Sequence, residues 1–189
     1  MSSLQARIRC VEEHLLARKP LSGYHDLPFA IFRYEPGEEL QLRREVPLLG
    51  RRLEEAGRRV TVISLTQVMW ECLESDDDLE SLFSSEGLAG VDRVVEAVNS
   101  LMERGETFVQ AIAGRLRGLD PQKDIAFLVE TGGLFPFFRS SAILNRLHGK
   151  VAIPTILFYP GRLEGAVGLS FLGVFPPDPT YRPNILCEV

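Results

Sequence analysis

The chain switches repeatedly between two hydrophobic rhythms. Leu4, Ile8, Val11 and Leu15 recur at helical spacing, with Ser2 and Gln5 in the form of a capping box, and predict a first helix. Pro28 to Tyr34 is a short β-rich run that predicts a strand, closed by Glu35-Pro36-Gly37. Leu42, Val46, Leu49, Leu53 and Ala56 then step by four and three up to Gly57, a natural helix stop, and Pro47 inside that pattern predicts a kink or an irregular start. Arg59 to Ser64 reads as a buried strand, and Ser64 followed by Gln67 restarts a helix through Val68, Met69, Cys72 and Leu73. From residue 76 to residue 119 every period is helical, carried by Leu79 and Leu82, by Val91 to Leu101, and by Phe108 to Leu116. Asp124 to Glu130 is the strongest strand; Thr131-Gly132-Gly133, a helix with Ile143, Leu144 and Leu147, and a strand from Ile153 to Tyr159 follow it. The tail from Pro160 is rich in Gly and Pro, with an apolar stretch Leu169 to Phe175 and a terminal edge strand over Asn184 to Glu188.

Continuous apolar strands separated by helices are what a parallel sheet covered on both faces requires, because parallel neighbours need a crossover connection. The predicted fold is therefore α/β. It is a single domain over residues 1–189, with a mostly parallel central sheet of four or five strands flanked by helices in Rossmann-like layering. The stretch 76–119 is a helical insertion between the second and third strands. A length of 189 residues with 45% hydrophobic and 25% charged positions fits one core of this kind.

Charge sharpens the picture. With 21 Lys+Arg against 26 Asp+Glu the net charge is -5, which argues against holding nucleic acid mainly through its phosphates. No Lys or Arg occurs from Val60 to Asp92, where Glu71, Glu74, Asp76, Asp77, Asp78 and Glu80 are concentrated. Such a run reads first as solvated helix ends and loops, and second as an acidic contact segment for a basic partner. Arg43, Arg44, Arg51, Arg52, Arg58 and Arg59 are interleaved with Glu38, Glu39, Glu45, Glu54 and Glu55, the pattern of a solvated helix face. Cys10, Cys72 and Cys187 are odd in number, with no C-x-x-C pair, so reduced thiols and a cytoplasmic location are expected. The start of the chain lacks the order of a signal peptide, and no apolar run reaches the ~18 residues of a membrane helix.

Candidate chemistry is sparse. Thr131-Gly132-Gly133 follows a strand, where open α/β sheets gather ligands, yet no G-x-x-x-x-G-K-[ST] and no strand-borne G-x-G-x-x-G occurs. The glycines read as a turn needing positive φ or as a close helix–sheet approach. Arg139 and Ser140 stand near the same strand end and could grip a carboxylate or phosphate. Gly168 to Gly173 is one residue too long for a nucleophile elbow. His14, His25 and His148 lack metal spacing, and Asp76-Asp77-Asp78 lacks the spacing of a calcium loop. No catalytic cluster, metal site or cofactor is expected.

Pro28 to Gly37, the block Phe127 to Ser140 and Phe158-Tyr159-Pro160-Gly161 together resemble the BrxB family, small components of BREX bacteriophage-defence operons. The likeness extends to Leu169 to Gly173 and to Tyr181-Arg182; Pro47 and the proline-rich Phe175 to Pro183 depart from it. The resemblance implies a cytoplasmic subunit working beside a methyltransferase, a large ATPase and an alkaline-phosphatase-superfamily (PglZ) component, with no known reaction of its own. It marks Thr131, Gly132, Gly133, Arg139, Ser140, Asn145, Tyr159, Gly161, Tyr181 and Arg182 as a functional surface. Two functions are carried forward. One is a non-catalytic adaptor that binds other BREX proteins, the PglZ component first, with no direct nucleic acid and no membrane. The other is a nucleotide-binding or degenerate ATPase-like domain using the turn after the third strand.

Overall fold

A computed structural model describes residues 3–22, 27–74, 90–103, 106–138, 140–164, 168–174 and 184–188, with the backbone alone at 103 and 140–142. The strands are β1 (Phe29–Tyr34), β2 (Arg59–Ser64), β3 (Asp124–Val129), β4 (Thr155–Glu164), β5 (Gly168–Phe171) and β6 (Asn184–Ile185). The helices are α1 (Leu4–Leu16), α2 (Glu39–Glu55), α3 (Leu65–Glu74), α4 (Val91–Glu103), α5 (Thr107–Leu116) and α6 (Ser140–Leu147). Five strands pair in parallel in the order β2-β3-β4-β1-β6, and β5 folds back antiparallel on the far half of β4. The fold is the expected α/β layering. Its sixth strand is β5, which pairs Gly161 with Phe171 and Glu164 with Gly168, drawn from the apolar stretch whose role the sequence left open.

Alternation along each strand divides the core between the two faces of the sheet. Ala30, Phe32, Ile125, Phe127, Ile156 and Phe158 point toward α1 and α2, where Leu4, Ile8, Val11, Leu42, Leu49 and Leu53 meet them. Phe29, Ile31, Ala126, Leu128, Leu157 and Tyr159 point the other way, toward α3, α4, α5 and α6. Both strand faces are covered, which is why β3 reads as an unbroken apolar run rather than an alternating one. Of the expected helical insertion, 76–89 and 104–105 lie outside the described residues; α4 and α5 occupy the rest between β2 and β3.

Three local expectations change. The α1 cap is Ser3, whose hydroxyl accepts from the Ala6 amide at 3.3 Å, one position later than the spacing suggested. Helix α2 runs unbroken through Pro47; that residue faces solvent, so water can satisfy the carbonyl that loses its partner. Cys10 and Cys187 are joined by a disulfide, which overturns the expectation of reduced thiols for these two; Cys72 takes no part in it. Their separation of 177 residues hid the pairing, but α1 packs over the face on which Leu186 is buried, beside the edge strand β6. A paired Cys10 and Cys187 carry no pointer to a reducing, cytoplasmic compartment. No helix among the described residues is long and apolar enough to cross a membrane.

Candidate functional site

The C-terminal ends of the parallel strands form one rim, the place where such sheets present ligand sites. On leaving β3 the chain takes a left-handed step at Glu130 (φ 57°) and enters a 3₁₀ turn, Thr131–Leu134. Glu130 is the hub of this corner. Its carboxylate accepts from the Ser64 hydroxyl at 2.5 Å and pairs with Arg43 at 3.3 Å; its carbonyl accepts from the Thr66 hydroxyl at 2.7 Å. The ends of β2 and β3, the start of α3 and the exposed side of α2 are thereby tied together. Ser64 also caps α3 by accepting from the Gln67 amide at 3.1 Å, as its spacing predicted.

Further along the rim, Arg33 at the end of β1 donates to both oxygens of Glu188, at 2.5 and 3.2 Å, to Glu35 at 2.8 Å and to the Gly161 carbonyl at 3.2 Å. The Glu188 hydrogen bonds outweigh burial and hold the Arg33 pKa above its ordinary value. Arg162 reaches the other oxygen of Glu35 at 3.2 Å. Arg7 of α1 donates to Glu38 and to the Arg33 carbonyl, both at 2.7 Å, with its guanidinium 5.6 Å from the Phe32 ring centre. Tyr34 donates to Glu39, which also binds Arg43 at 2.8 Å. Burial first, then the hydrogen bond to Glu39 and its charge, pushes the Tyr34 hydroxyl far above its usual pKa, so it remains a donor.

The residues marked by sequence fall in different places. Thr131 and Tyr159 are wholly buried: the Thr131 hydroxyl donates to the Phe158 carbonyl at 2.7 Å, and the Tyr159 hydroxyl to the Leu169 carbonyl at 3.4 Å. Gly132 and Gly133 both lack positive φ, which belongs to Glu130 instead. What requires glycine at 133 is close approach, since a Cβ there would overlap the side chain of Thr66; at 132 it would meet only ordinary contacts with Pro160 and Leu172. Gly161 is likewise fixed by packing, because a Cβ would strike the Ser170 carbonyl across the β4–β5 hairpin. The Gly133 and Phe135 amides donate to Glu130 and Gly132 carbonyls, both at 3.2 Å, and are therefore spent inside the turn. Asn145 is exposed on α6, which begins at Ser140. Arg139, Tyr181, Arg182, Asp76, Asp77, Asp78 and Glu80 lie outside the described residues.

Two residues of the acidic segment are described. Glu71 accepts from Gln67 at 2.9 Å and pairs with Arg115, while Glu74 is exposed near the end of α3. One turn before Glu74 on the same face stands Trp70, the single tryptophan of the chain, 44% exposed. Strand β2, which leads into α3, lies at the sheet edge with Val62 51% exposed. Sequence periodicity missed this surface and the Glu130 hub. Trp70 lies outside the stripe of Val68, Met69, Cys72 and Leu73 that periodicity picks out, and Glu130 reads as the last residue of a strand.

Part of this rim, from β2 to β6, lies within a stretch that matches a known protein family. The family model described as BREX protein BrxB matches residues 61–185. The BREX protein BrxB of Bacillus cereus (strain H3081.97) is 31% identical over 163 residues, which is 84% of this chain and 82% of that protein. No solved structure matches the chain. A family match over more than half of the chain, with that identity over most of both chains, places this protein in the BrxB family of BREX proteins.

Proposed function

We propose that this chain is a non-catalytic, cytoplasmic adaptor of a BREX phage-defence complex, and that its main partner is the alkaline-phosphatase-superfamily component. The observation that carries the reading is the outer face of α3, where Trp70 stands exposed with Glu74 one turn away. Tryptophan is enriched among the residues that anchor protein interfaces, because its ring buries a large area at little conformational cost. Strand β2, which leads into α3, ends the strand order among the described residues and offers backbone groups to a partner strand. Family membership supplies the system in which the partner is sought.

Trp70 also supplies the measurement. Titrating the purified phosphatase-superfamily component should shift Trp70 emission to the blue as the indole leaves water, and the two proteins should co-elute. Trp70→Ala should weaken the complex at least tenfold, and Glu74→Lys more modestly. A chain that stays unbound with every protein of the operon defeats the reading, and turnover by the purified chain defeats its non-catalytic part.

A further inference from the structure

The opposite rim of the sheet, at the N-terminal ends of the strands, contains a cleft of about 610 Å³. That volume is within the roughly 300–1,000 Å³ of small-molecule sites. Its cations are Arg18, Lys19, Arg58 and Lys150, and no carboxylate is among the described residues that line it. Its apolar walls come from residues such as Leu15, Leu21, Leu27 and Val151.

Helix endings set the cations there. Helix α2 closes with Gly57 at φ 83°, the Gly57 amide bonded to the Glu54 carbonyl and the Arg58 amide to the Leu53 carbonyl, both at 2.9 Å. This double closure turns Arg58 off the charged face of α2 and buries it, 7% exposed. Helix α1 closes in the same way, with the Arg18 and Lys19 amides bonded to the Leu15 and His14 carbonyls. Here the left-handed position (φ 51°) is held by Arg18, where glycine is the unstrained choice. Helix α6 is followed by Gly149 (φ 75°) and then Lys150, which pairs with Glu106. Each helix C-terminus contributes about −0.5 of a charge. Three such ends offset fewer than two of the cations gathered.

Among the described residues, no carboxylate pairs with the buried Arg58. One of its terminal nitrogens donates to the Gln122 carbonyl at 2.9 Å, but its Nε is buried without a hydrogen-bond partner. Burial, and then the charge of Arg18, lower its pKa; Asp124 and Asp120 act in the other direction. The Asp124 carboxylate is itself held by Arg59, at 2.5 and 2.7 Å, and by the Asp120 amide at 2.6 Å.

We infer that this cleft binds a phosphate-bearing small molecule of mononucleotide size, its phosphates between Arg18 and Arg58 and its apolar part against the leucine and proline walls. Arginine forks suit phosphate oxygens, and such a ligand supplies the charge the cleft lacks. The inference is independent of the adaptor reading, because it is read on the chain alone.

Calorimetry at low salt with ADP and with inorganic pyrophosphate tests it. ADP should bind with a dissociation constant below about 1 mM, and more weakly as salt rises. Arg58→Met and Arg18→Gly should each weaken ADP at least tenfold, whereas Arg162→Gln, on the other rim, should leave it unchanged. If Arg58→Met does not fold, Arg18→Gly carries the test, since glycine suits that backbone and should hold or raise the thermal midpoint. Heat of dilution alone with both probes would overturn the inference. So would unchanged ADP affinity in Arg18→Gly, or binding of a 5′-phosphorylated oligonucleotide without any binding of ADP.

Discussion

The two rims of one sheet handle charge in opposite ways. At the C-terminal ends, Arg7, Arg33, Arg43 and Arg162 meet Glu35, Glu38, Glu39, Glu130 and Glu188, and each guanidinium has a carboxylate partner. At the N-terminal ends, cations face a cleft with no carboxylate among its described lining residues. In open α/β sheets the first rim is the habitual ligand site. Here its charges are spent on joining both ends of the chain, through Arg7 and Cys10 of α1 and through Cys187 and Glu188 after β6. At the second rim Lys150 meets Glu106, while Arg18, Lys19 and Arg58 have no carboxylate among the described lining residues. The contrast predicts that removing an arginine or link from the first rim destabilises the fold, whereas removing a cation that lines the cleft at the second does not.

The largest effect should come from the covalent link at the first rim. The Cys10–Cys187 disulfide closes a loop of 177 residues' separation, so it restricts the unfolded chain over nearly its whole length. Cys10→Ser should lower unfolding free energy by about 2–4 kcal/mol. Urea midpoints of the parent with and without reductant, beside those of the variant, check this. The reduced parent should match the variant.

Next comes Arg33→Met. Arg33 is 12% exposed at its side chain, and its loss strands Glu188 and the Gly161 carbonyl while Glu35 retains Arg162. Because Glu188 is itself 24% exposed, the cost should fall below that of a fully buried pair, at about 2–3 kcal/mol. Equilibrium unfolding of Arg33→Met measures it. A change within about 0.5 kcal/mol would put the first rim on the same footing as an ordinary surface network.

The second rim has one titration of its own. Asp124, 2% exposed at its side chain, is held below the usual aspartate range chiefly by the Arg59 hydrogen bonds, against the opposing effect of burial. A carboxylate whose folded pKa is depressed stabilises fully above its unfolded value of about 3.9, and loses that stability as pH falls through the folded value. Protonation there releases Arg59 and removes negative charge close to Arg58. Urea midpoints should therefore fall below about pH 4, and Asp124→Asn should be less stable at neutral pH with a flatter acid limb. An acid limb identical in parent and variant would assign the loss to other carboxylates.

Legibility in the sequence follows the range of the interaction. Strand β3 was readable because burial on both faces forces a continuous apolar run, and the α3 cap because Ser64 and Gln67 sit three apart. The edge position of β6 followed from the proline-rich segment before it. Glu130 was not readable, since its partners Arg43, Ser64 and Thr66 are remote in sequence and meet only when α2, β2 and β3 are placed together. The glycine turn was read half correctly, as close approach at Gly133 but not as positive φ, because the strained step falls one residue before the turn. Arg58 was counted in a solvated stripe. The signal that separates it was present in Gly57, whose left-handed turn ends α2 and takes the next side chain off the helix face.

The smallest expected effect is also the one with the opposite sign. Arg18 holds φ 51° in a helix-closing turn that glycine adopts without strain. Relief of that strain gains about 1–2 kcal/mol, against which glycine's freedom in the unfolded chain costs about 0.4–1 kcal/mol. Removing the charge also eases the pressure on Arg58. Arg18→Gly should therefore be more stable than the parent by about 0.5–1 kcal/mol, measured as a rise in urea midpoint at unchanged slope. Stability gained by deleting an arginine of the cleft, set beside stability lost by deleting one at the first rim, would show that Arg18 is not used to hold the fold as Arg33 is. A destabilised Arg18→Gly would erase the contrast and make Arg18 a structural residue like Arg33.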